Sequence, residues 1–582
     1  MRAMPNTRAP LIRFDVFEMD VESGELRRNG TLVKLPHQPF RVLELLISRP
    51  GVVWTRPEIE REVWGGETFV DFESGLNYCI KQIRAALKDD AGAPRYIETL
   101  PRRGYRFVAA VERQDRESTR AGTRPMLAVI PFGNLTGAAD DYFAEGLTEE
   151  LIAQIGRLNP AQLGVIAFTT SRQYRNTDKG IGQIGRELGV EYIIEGSARR
   201  SGDRARITVQ LIQVADQSHL WAEAYNRTLE DMIGIQIDVA ERVAQSLTVK
   251  LLAKSIDAME RTSTRNSGAY EDYLKGRYYF NRRTDGDFNK ARRYFEEAIR
   301  KDPNYVLAYV GLADVYAVMG LYSGLPPAMA YQEVSRLLQK ALALDENLAE
   351  TQAAIGYAKL LYNWDFKGAD RSFRRALALN PNYVTGQYQY ALFLAAQGDF
   401  DRALQHIDSA IQLDPMSMVV NSNKGWILYM ARRHETAIAQ LRNTLEMEQD
   451  FALARYFLGL AYLQLGRYSE AAAEFQKAKK ASEDHPASIS GLAVADALGG
   501  KPNQARKGLQ VLEDLQSQRY VTPYYSALIH AALGDKYKAL LCLKRACEDR
   551  SAFLTNMKND PALDSLRKDL RFIRLMKSAG LE

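Results

Sequence analysis

A 34-residue spacing of alanines in the C-terminal half of the chain is the feature that most limits how it can fold. Starting from Ala369, steps of 34 residues reach Ala403, Ala437, Ala471, Ala505 and Ala539. Glycines precede four of these alanines by five residues, at Gly398, Gly466, Gly500 and Gly534. Small residues at this interval let two antiparallel helices and the next pair pack closely, and the glycine permits the turn between helices. Because one helix pair cannot bury its own apolar face, the pattern predicts a stacked helical array.

This repeat resembles the tetratricopeptide repeat. The residues that carry the resemblance best are Gly459, Tyr462, Gly466, Ala471, Phe475 and Ala478. We expect about eight repeats over residues 269–550 and a capping helix over 551–582. The resemblance implies a solenoid whose concave groove holds a protein or peptide. The positions that keep the register are core positions, so none of them is a predicted binding residue.

The N-terminal hundred residues show a different pattern, in which short strands surround three helices. Strands are expected at residues 12–19 and 25–32, and the third helix is expected from about Asp71 to Lys88. The third helix has an apolar stripe formed by Leu76, Ile80, Ile83 and Leu87. Its opposite face mixes a cation, amides, a hydroxyl and an aromatic ring, which suits contact with base edges and phosphates. Two further strands, 96–100 and 105–109, flank a turn rich in arginine.

The segments Ile83–Leu87 and Ile97–Phe107 resemble the winged-helix domain of the OmpR/PhoB type, over residues 11–112. In that family the third helix enters the major groove and the wing touches the adjacent backbone or minor groove. The helix contacts implied by position are Ser74, Asn77, Tyr78, Lys81 and Gln82, and the wing contacts are Thr99, Arg102 and Arg103. Arg84 and Arg106 are expected to hold phosphates or to be structural, whereas Tyr105 and Phe107 are expected in the core.

Two departures from the family pattern bear on binding. The third helix offers Lys81 and Gln82 where many members place arginines, and residues 1–112 contain 17 basic and 16 acidic side chains. The domain is therefore not basic overall, and dimeric or tandem binding would help a single module of modest affinity. We expect no phosphoacceptor receiver domain of the kind that usually accompanies such output domains. An alternative is that the winged helix docks protein rather than DNA.

The middle of the chain is predicted to be a linker followed by an α/β domain. Residues 113–124 are polar, and residues 125–252 alternate strands and helices. This segment resembles the TolB-amino-terminal-like domain, on the residues Ala128–Phe132, Phe143–Thr148, Ile184–Val190 and His219–Trp221. The spacing G-x-G-x-x-G occurs at residues 180–185, but a polar loop precedes it where a dinucleotide site needs a strand. No nucleotide site is therefore predicted there.

The residues that enzymes and metal sites require are sparse. The three cysteines and six histidines show no metal-ligand spacing, and no nucleophile or phosphate-loop motif occurs. We therefore expect no enzyme activity, catalytic residue, metal or cofactor. No apolar run reaches the length of about 18 residues that spans a membrane. The expected location is the cytoplasm, without membrane attachment.

These observations predict a multidomain chain with a winged helix-turn-helix, then an α/β domain, then an all-α array. The first hypothesis is a transcriptional regulator that binds double-stranded DNA and receives a protein or peptide signal through its middle domain and array. Signal binding would change homodimerisation or contact with RNA polymerase. The second is a repeat scaffold, or adaptor, that uses the winged helix for protein docking. A third is an enzyme centred on residues 125–250, in which His219 is the best candidate for a ligand-binding residue.

Overall fold

The computed structural model describes residues 11–20, 25–28, 31–33, 35–64, 72–90, 92, 94–101, 103–109, 111–114, 124–137, 140–247, 261–282, 285–322 and 325–581. These residues divide into two compact units, within residues 1–124 and 125–582. Each unit buries apolar side chains of its own.

The N-terminal unit combines two antiparallel sheets with three helices. Its strands are β1 (Leu11–Phe14), β2 (Phe17–Asp20), β3 (Glu25–Arg28), β4 (Thr31–Val33), β5 (Val53–Thr55), β6 (Ile97–Leu100), β7 (Gly104–Phe107) and β8 (Glu112–Gln114). Its helices are α1 (His37–Ser48), α2 (Arg56–Trp64) and α3 (Phe72–Leu87). One sheet has the order β4-β3-β2-β1-β8 and the other the order β5-β7-β6.

The strand expected at residues 12–19 is a hairpin. Phe14 pairs with Phe17, and Asp15 in the turn between them has a φ of +50°. Aspartate tolerates this left-handed conformation because its short side chain can hydrogen-bond locally. The single-strand prediction was wrong because apolar residues alternate from Ile12 through Val16 in the turn, and the pattern shifts by one residue only at Phe17.

The predicted linker also contains strand residues at its start. Arg113 in β8 pairs with Ile12 in β1, so the first residues of the segment 113–124 belong to the N-terminal sheet. Residues 115–123 lie outside the described part of the chain.

The middle domain is built on one mixed sheet. Its strands are β9 (Met126–Val129), β10 (Gly133–Asn134), β11 (Gly164–Val165), β12 (Tyr192–Ser201), β13 (Arg204–Gln213) and β14 (His219–Thr228). Its helices are α4 (Asp141–Leu158), α5 (Phe168–Ser171), α6 (Ile181–Leu188) and α7 (Met232–Ser246). The order is β11-β9-β12-β13-β14, with β10 also paired to β12. Strands β11, β9 and β12 run parallel, whereas β13 and β14 extend the sheet in antiparallel fashion.

Eight consecutive helix pairs follow within the described residues 267–548. Repeats 1 to 4 comprise α8 (Ser267–Arg282) and α9 (Asp285–Lys301), α10 (Val306–Tyr322) and α11 (Pro327–Leu344), α12 (Ala349–Ala358) and α13 (Phe366–Leu379), and α14 (Val384–Gln397) and α15 (Phe400–Leu413). Repeats 5 to 8 comprise α16 (Met418–Met430) and α17 (His434–Met447), α18 (Ala452–Gln464) and α19 (Tyr468–Ala481), α20 (Pro486–Leu498) and α21 (Pro502–Gln516), and α22 (Pro523–Ala532) and α23 (Lys536–Glu548).

The residues that mark the 34-residue register are the ones that the packing requires. All six alanines from Ala369 to Ala539 are fully buried. Gly466 lies in the turn between α18 and α19 with a φ of +70°. In repeats 3 and 5 the same place is taken by Trp364 and Arg432, with φ of +55° and +61°. The turn geometry therefore imposes the left-handed conformation even where no glycine is present.

The middle domain packs on the first helices of the array. Helix α4 lies against α8 so closely that a Cβ on Gly146 would come within 2.8 Å of the Leu274 side chain. Ion pairs surround this contact, between Arg277 and Glu149, between Arg157 and Glu350, and between Arg200 and Glu271. Several of these charges are largely buried, so breaking one partner of a pair would be costly.

The same interface continues to repeats 4 and 5. The Asn382 side-chain amide donates to the carbonyl oxygens of Gly156 and Leu163, at 3.0 and 2.9 Å. The Thr170 hydroxyl donates to the Asp414 carboxylate at 2.6 Å. The middle domain therefore contacts the array from its first repeat to the loop between its fourth and fifth repeats.

The segment after the last repeat differs from the predicted capping helix. Only α24 (Leu570–Ala579) is α-helical, and the residues before it form two 3-10 turns, Ala552–Asn556 and Pro561–Leu566. The side-chain amide of Asn559 donates to the carbonyl oxygen of Ala396 at 2.9 Å, in repeat 4.

Asp560 is the main polar anchor of this segment. Its carboxylate accepts hydrogen bonds from the hydroxyls of Tyr429 in repeat 5, at 3.0 Å, and Tyr524 in repeat 8. Nearby, Arg432 forms a bidentate ion pair with Asp564, in which its two terminal nitrogens lie 2.6 and 2.8 Å from the carboxylate oxygens. The segment therefore bridges repeats that are far apart in the sequence.

Candidate nucleic-acid interface

Helix α3 presents its predicted polar face to solvent. Its apolar stripe, Leu76, Ile80, Ile83 and Leu87, is buried in the core of the N-terminal unit. On the other side, Asn77 and Lys81 are exposed, Tyr78 is 55% exposed, and Gln82 is partly exposed. Ser74 lies on the same helix, but its side chain is outside the described part.

An open groove runs between α3 and the hairpin of β6 and β7. It is lined by Arg56, Asn77, Ile80, Lys81, Arg84, Lys88, Asp89, Asp90, Thr99 and Tyr105. The set includes four cations, and one of its two acids, Asp89, has no exposed side-chain surface. The groove thus carries a local positive charge in a domain whose total charge is nearly balanced.

Tyr105 connects the two walls of this groove. Its hydroxyl donates to Oδ1 of Asn77 at 3.1 Å, and it accepts from the Arg56 guanidinium at 3.2 Å. The same guanidinium lies 5.4 Å from the centre of the Tyr105 ring. The tyrosine was predicted as core and its ring is buried, but its hydroxyl also positions two polar groups that face the groove.

Arg56 is placed by the start of α2. The Thr55 amide donates to the Glu58 carboxylate at 2.8 Å, and the Glu58 amide donates back to the Thr55 hydroxyl at 3.4 Å. This reciprocal cap fixes the first turn of the helix. The hydrogen bonds from Thr55 also hold the pKa of the Glu58 carboxyl below its ordinary value.

Arg84 braces α3 against β6. Its guanidinium donates to the Ile97 carbonyl at 2.9 Å and to the Thr99 hydroxyl at 2.8 Å. Only 16% of its side chain is exposed, so most of the group is committed to positioning the wing. Thr99 remains exposed and keeps lone-pair capacity for another donor.

Asp89 ties the end of α3 to the start of β6. Its carboxylate accepts from the backbone amides of Arg95, Tyr96 and Ile97, at 2.7, 3.0 and 2.9 Å. The hairpin is also fixed at Gly104, where a Cβ would lie 1.9 Å from the Trp54 carbonyl oxygen. Only glycine allows β7 to approach β5 at this point.

The predicted wing contacts occupy different environments. Arg103 is exposed in the turn, whereas Arg106 pairs with Glu98 across the two strands, at 2.8 Å from Nε. Arg102 lies outside the described part of the chain. The structure therefore brings Asn77, Lys81 and Thr99 together in one groove and places Arg103 at the hairpin tip.

Two of the four cations that line the groove, Arg56 and Lys88, were not predicted as contacts. Arg56 lies within a recognisable capping box, between Thr55 and Glu58, so a cation at a helix N-terminus could have been noticed. Lys88 ends α3 with a φ of +54°, which turns the chain towards Asp89. No local sequence signal indicates that turn.

The remaining candidate sites, His219 and the segment 180–185, lie mainly in a strand and a helix of the middle domain. His219 is exposed on β14, and the glycine-rich segment 180–185 lies mostly in α6. Gly185 serves packing, because a Cβ there would lie 2.3 Å from the Val214 side chain. Among the described residues no group of histidine, cysteine and carboxylate side chains could hold a metal ion. No helix in the described ranges has both the length and the apolarity needed to cross a membrane.

Three family matches cover most of the chain. Residues 30–107 match the family described as "Transcriptional regulatory protein, C terminal". Residues 123–243, for which a TolB-like domain was predicted, match "HilA/YgeH-like transcriptional regulator, second domain". Residues 281–324, 338–417 and 423–486 match "Tetratricopeptide repeat". The predicted fold class of winged helix, α/β domain and helical array is confirmed.

The similar proteins differ in how much of their length is shared. The transcriptional regulator HilA of Salmonella typhimurium is 24% identical over 95% of this chain and 97% of its own length. A putative adenylate cyclase 3 of Rhizobium meliloti is 29% identical over 54% of this chain, which spans 50% of that protein. The cholera toxin transcriptional activator of Vibrio cholerae is 35% identical over 15% of this chain and 30% of its own length.

These matches agree with the groove on α3 and with the helix pairs that follow. The chain carries an OmpR/PhoB-type DNA-binding domain of transcriptional regulators, a HilA/YgeH-like second domain and tetratricopeptide repeats, in that order.

Proposed function

We propose that this chain regulates transcription by binding duplex DNA through α3 and the β6–β7 hairpin, and that its second unit receives a protein signal. The observation that carries the DNA part is the groove that collects Lys81, Asn77 and Thr99 between helix and wing. Lysine and amide groups on a helix of this size suit the major groove, which admits an α-helix and displays a readable pattern of donors and acceptors. Arg103 at the hairpin tip is suited to a phosphate or the minor groove.

Within this interface, the side chains of α3 and those of the β6–β7 hairpin would have different roles. Tyr78, Lys81 and Gln82 would contact bases, together with Asn77 and Ser74. Thr99, Arg102 and Arg103 would contact the backbone from the wing. Arg84 and Arg106 would act mainly by holding the helix and wing in place, since both are engaged with protein groups.

The second unit would be the input side of the regulator. Helix α4 contacts the first helices of repeats 1 and 3 and the loop before repeat 4, and α5 contacts the loop before repeat 5. These contacts support an input unit in which the middle domain and the array act together. We therefore propose that a protein partner binds surfaces that the middle domain and the C-terminal segment leave open. Its binding would change homodimerisation or contact with RNA polymerase, in the cytoplasm where the chromosome is accessible.

The DNA part is tested by the salt dependence of binding. The full chain and a fragment of residues 1–124 would be titrated with a library of duplexes at increasing salt. Phosphate contacts should make the logarithm of the binding constant fall linearly with the logarithm of salt concentration. Absence of binding, or binding that does not change with salt, would contradict the proposal and favour the scaffold alternative.

A further inference from the structure

The end of the array exposes large apolar side chains on two neighbouring helices. Tyr537 and Leu541 on α23 are 68% and 47% exposed, and Leu570 and Ile573 on α24 are 67% and 46% exposed. The two helices contact each other, and the charges of Lys536 and Asp569 at their first turns interact. These four apolar residues define what is called here the C-terminal face.

The C-terminal face is not needed to complete the core. The opposite sides of the same helices bury Leu540, Leu543 and Phe572 in the core of the array. The outer side of a terminal repeat is normally polar, because it has no neighbouring repeat to cover it. Single exposed apolar residues are common, but a cluster with a polar border is typical of an interaction site.

On each of the two helices, exposed apolar side chains are followed along the same side by cations. On α24, Leu570 and Ile573 are followed by Arg574 and Lys577, at spacings that keep all four on one side. On α23, Tyr537 and Leu541 are followed by Lys544 and Arg545 in the same way. Both stripes thus pass from apolar side chains to cations, and the stripe on α23 then ends at Glu548, which pairs with Lys544 at 3.9 Å.

The cations give the region most of the net charge of the protein. Residues 536–582 contain 11 basic and 6 acidic side chains, a net charge of +5. The whole chain has the same net charge. Arg545, Lys568, Arg574 and Lys577 are exposed, and no carboxylate of the described residues lies within 4.0 Å of them. The remainder of the chain is balanced, so this excess is local.

We propose that the C-terminal face docks an amphipathic helix of a partner protein, in which apolar anchors are followed by carboxylates. Two adjacent helices on which apolar side chains are followed by cations form the kind of surface into which an amphipathic helix lays its apolar face. Duplex DNA fits less well, because interfaces with DNA are polar and four large apolar groups would face phosphates. This inference rests on the proposed function only in assuming that the array has a protein partner.

The test uses the full chain and a designed helical peptide with leucines on one face and glutamates on the other. The control peptide has lysine in place of every glutamate. The acidic peptide should bind at least about 10-fold more tightly than the basic one, and this preference should shrink as salt screens the charges. Equal affinity for the two peptides would overturn the proposal.

Matched variants locate the site. Leu570→Ser and Tyr537→Ser should each weaken the acidic peptide by about 5-fold or more without changing the melting temperature, because both side chains are exposed. Met329→Ser removes a side chain that is also 57% exposed, but in repeat 2, and should leave peptide binding unchanged. Equal effects of all three variants, or none, would contradict the assignment.

Two other ligands complete the experiment. Anionic phospholipid vesicles and a duplex library would be titrated into the wild type and Leu570→Ser. If the variant weakens either of these more than the acidic peptide, the face binds lipid or DNA and the proposal is wrong. If the chain binds no DNA at all but keeps the peptide pattern, the proposed function fails and this inference stands.

Discussion

The hydroxyl of Tyr105 in β7 and the side-chain amide oxygen of Asn77 in α3 are 3.1 Å apart and share a hydrogen bond. Through this bond a strand of the wing determines where a side chain of the proposed recognition helix points. Because the same hydroxyl accepts from Arg56, one buried tyrosine orients polar groups from two helices.

Tyr105→Phe should therefore weaken DNA binding more than it weakens the fold. The variant keeps the buried ring but loses two hydrogen bonds of about 1 kcal/mol each. Affinity for duplex DNA is expected to fall about 5- to 10-fold, as measured by fluorescence anisotropy. Tyr96→Phe is the control, because its hydroxyl bonds to Asp15 and its residue does not line the groove. If both variants lose affinity equally, Tyr105 acts only through stability.

Helix and wing residues should have separable effects on DNA recognition. Lys81→Ala and Gln82→Ala are expected to change the preferred sequence, because these side chains lie where base edges would be read. Arg103→Ala should weaken all sequences about equally and lower the salt slope by about 1. Selection from a random duplex library measures the preference. A changed motif for Arg103→Ala alone would reverse the assignment of groove and wing.

The contact between the middle domain and the loop that joins repeats 4 and 5 should depend on pH. Burial raises the pKa of the Asp414 carboxyl to about 6. Since this pKa lies above the ordinary value of 3.8, the folded state holds the proton more tightly between these pH values. Stability should therefore fall as the pH rises through that window, by about 3 kcal/mol.

Burial also raises the pKa of the Glu150 carboxyl to about 6, so two carboxyls contribute to the pH dependence of stability in this window. Asp414→Asn should therefore remove about half of the total slope, because Glu150 still titrates. Denaturant unfolding at several pH values measures the slope. Asp408→Asn is the matched control, since its carboxylate is half-exposed and bonds Lys424 at the surface. An unchanged slope in Asp414→Asn would show that the buried carboxylate does not titrate in this range.

The alanine register should tolerate no larger side chain. Ala471 is fully buried between helices, so Ala471→Leu should destabilise the array by about 1–3 kcal/mol or more. Ala473→Leu, two residues later on the exposed side of the same helix, should change stability by less than about 0.5 kcal/mol. Thermal unfolding compares the two. Similar losses from both would mean that helix packing does not set the repeat.

The sequence predicted best what depends on local periodicity. The six alanines are core because a repeated packing geometry demands small residues at a fixed interval, and the stripe on α3 is core because its spacing matches a helix. The hairpin at residues 12–19 was missed because Asp15 supplies a turn conformation that usually calls for glycine or asparagine. A two-residue turn leaves little trace in an apolar pattern.

Contacts between distant segments could not be predicted in the same way. Arg157 meets Glu350, and Asn382 meets the carbonyl groups of the middle domain, only after both segments have folded. Arginine, glutamate and asparagine are common at surfaces, so nothing in their own neighbourhoods marks them as partners. The role of Tyr105 was hidden for a related reason, since a strand tyrosine that is buried also satisfies the expectation of a core residue.

The bridge made by Asp560 and Asn559 limits how this array could change length. An ordinary solenoid can gain or lose a repeat anywhere, because each repeat contacts only its neighbours. Here the segment after repeat 8 must reach Tyr429 in repeat 5 and Ala396 in repeat 4. Inserting or deleting one unit between repeats 5 and 8 would move those partners out of reach. The contacts of this segment therefore fix the number of repeats in the second half of the array.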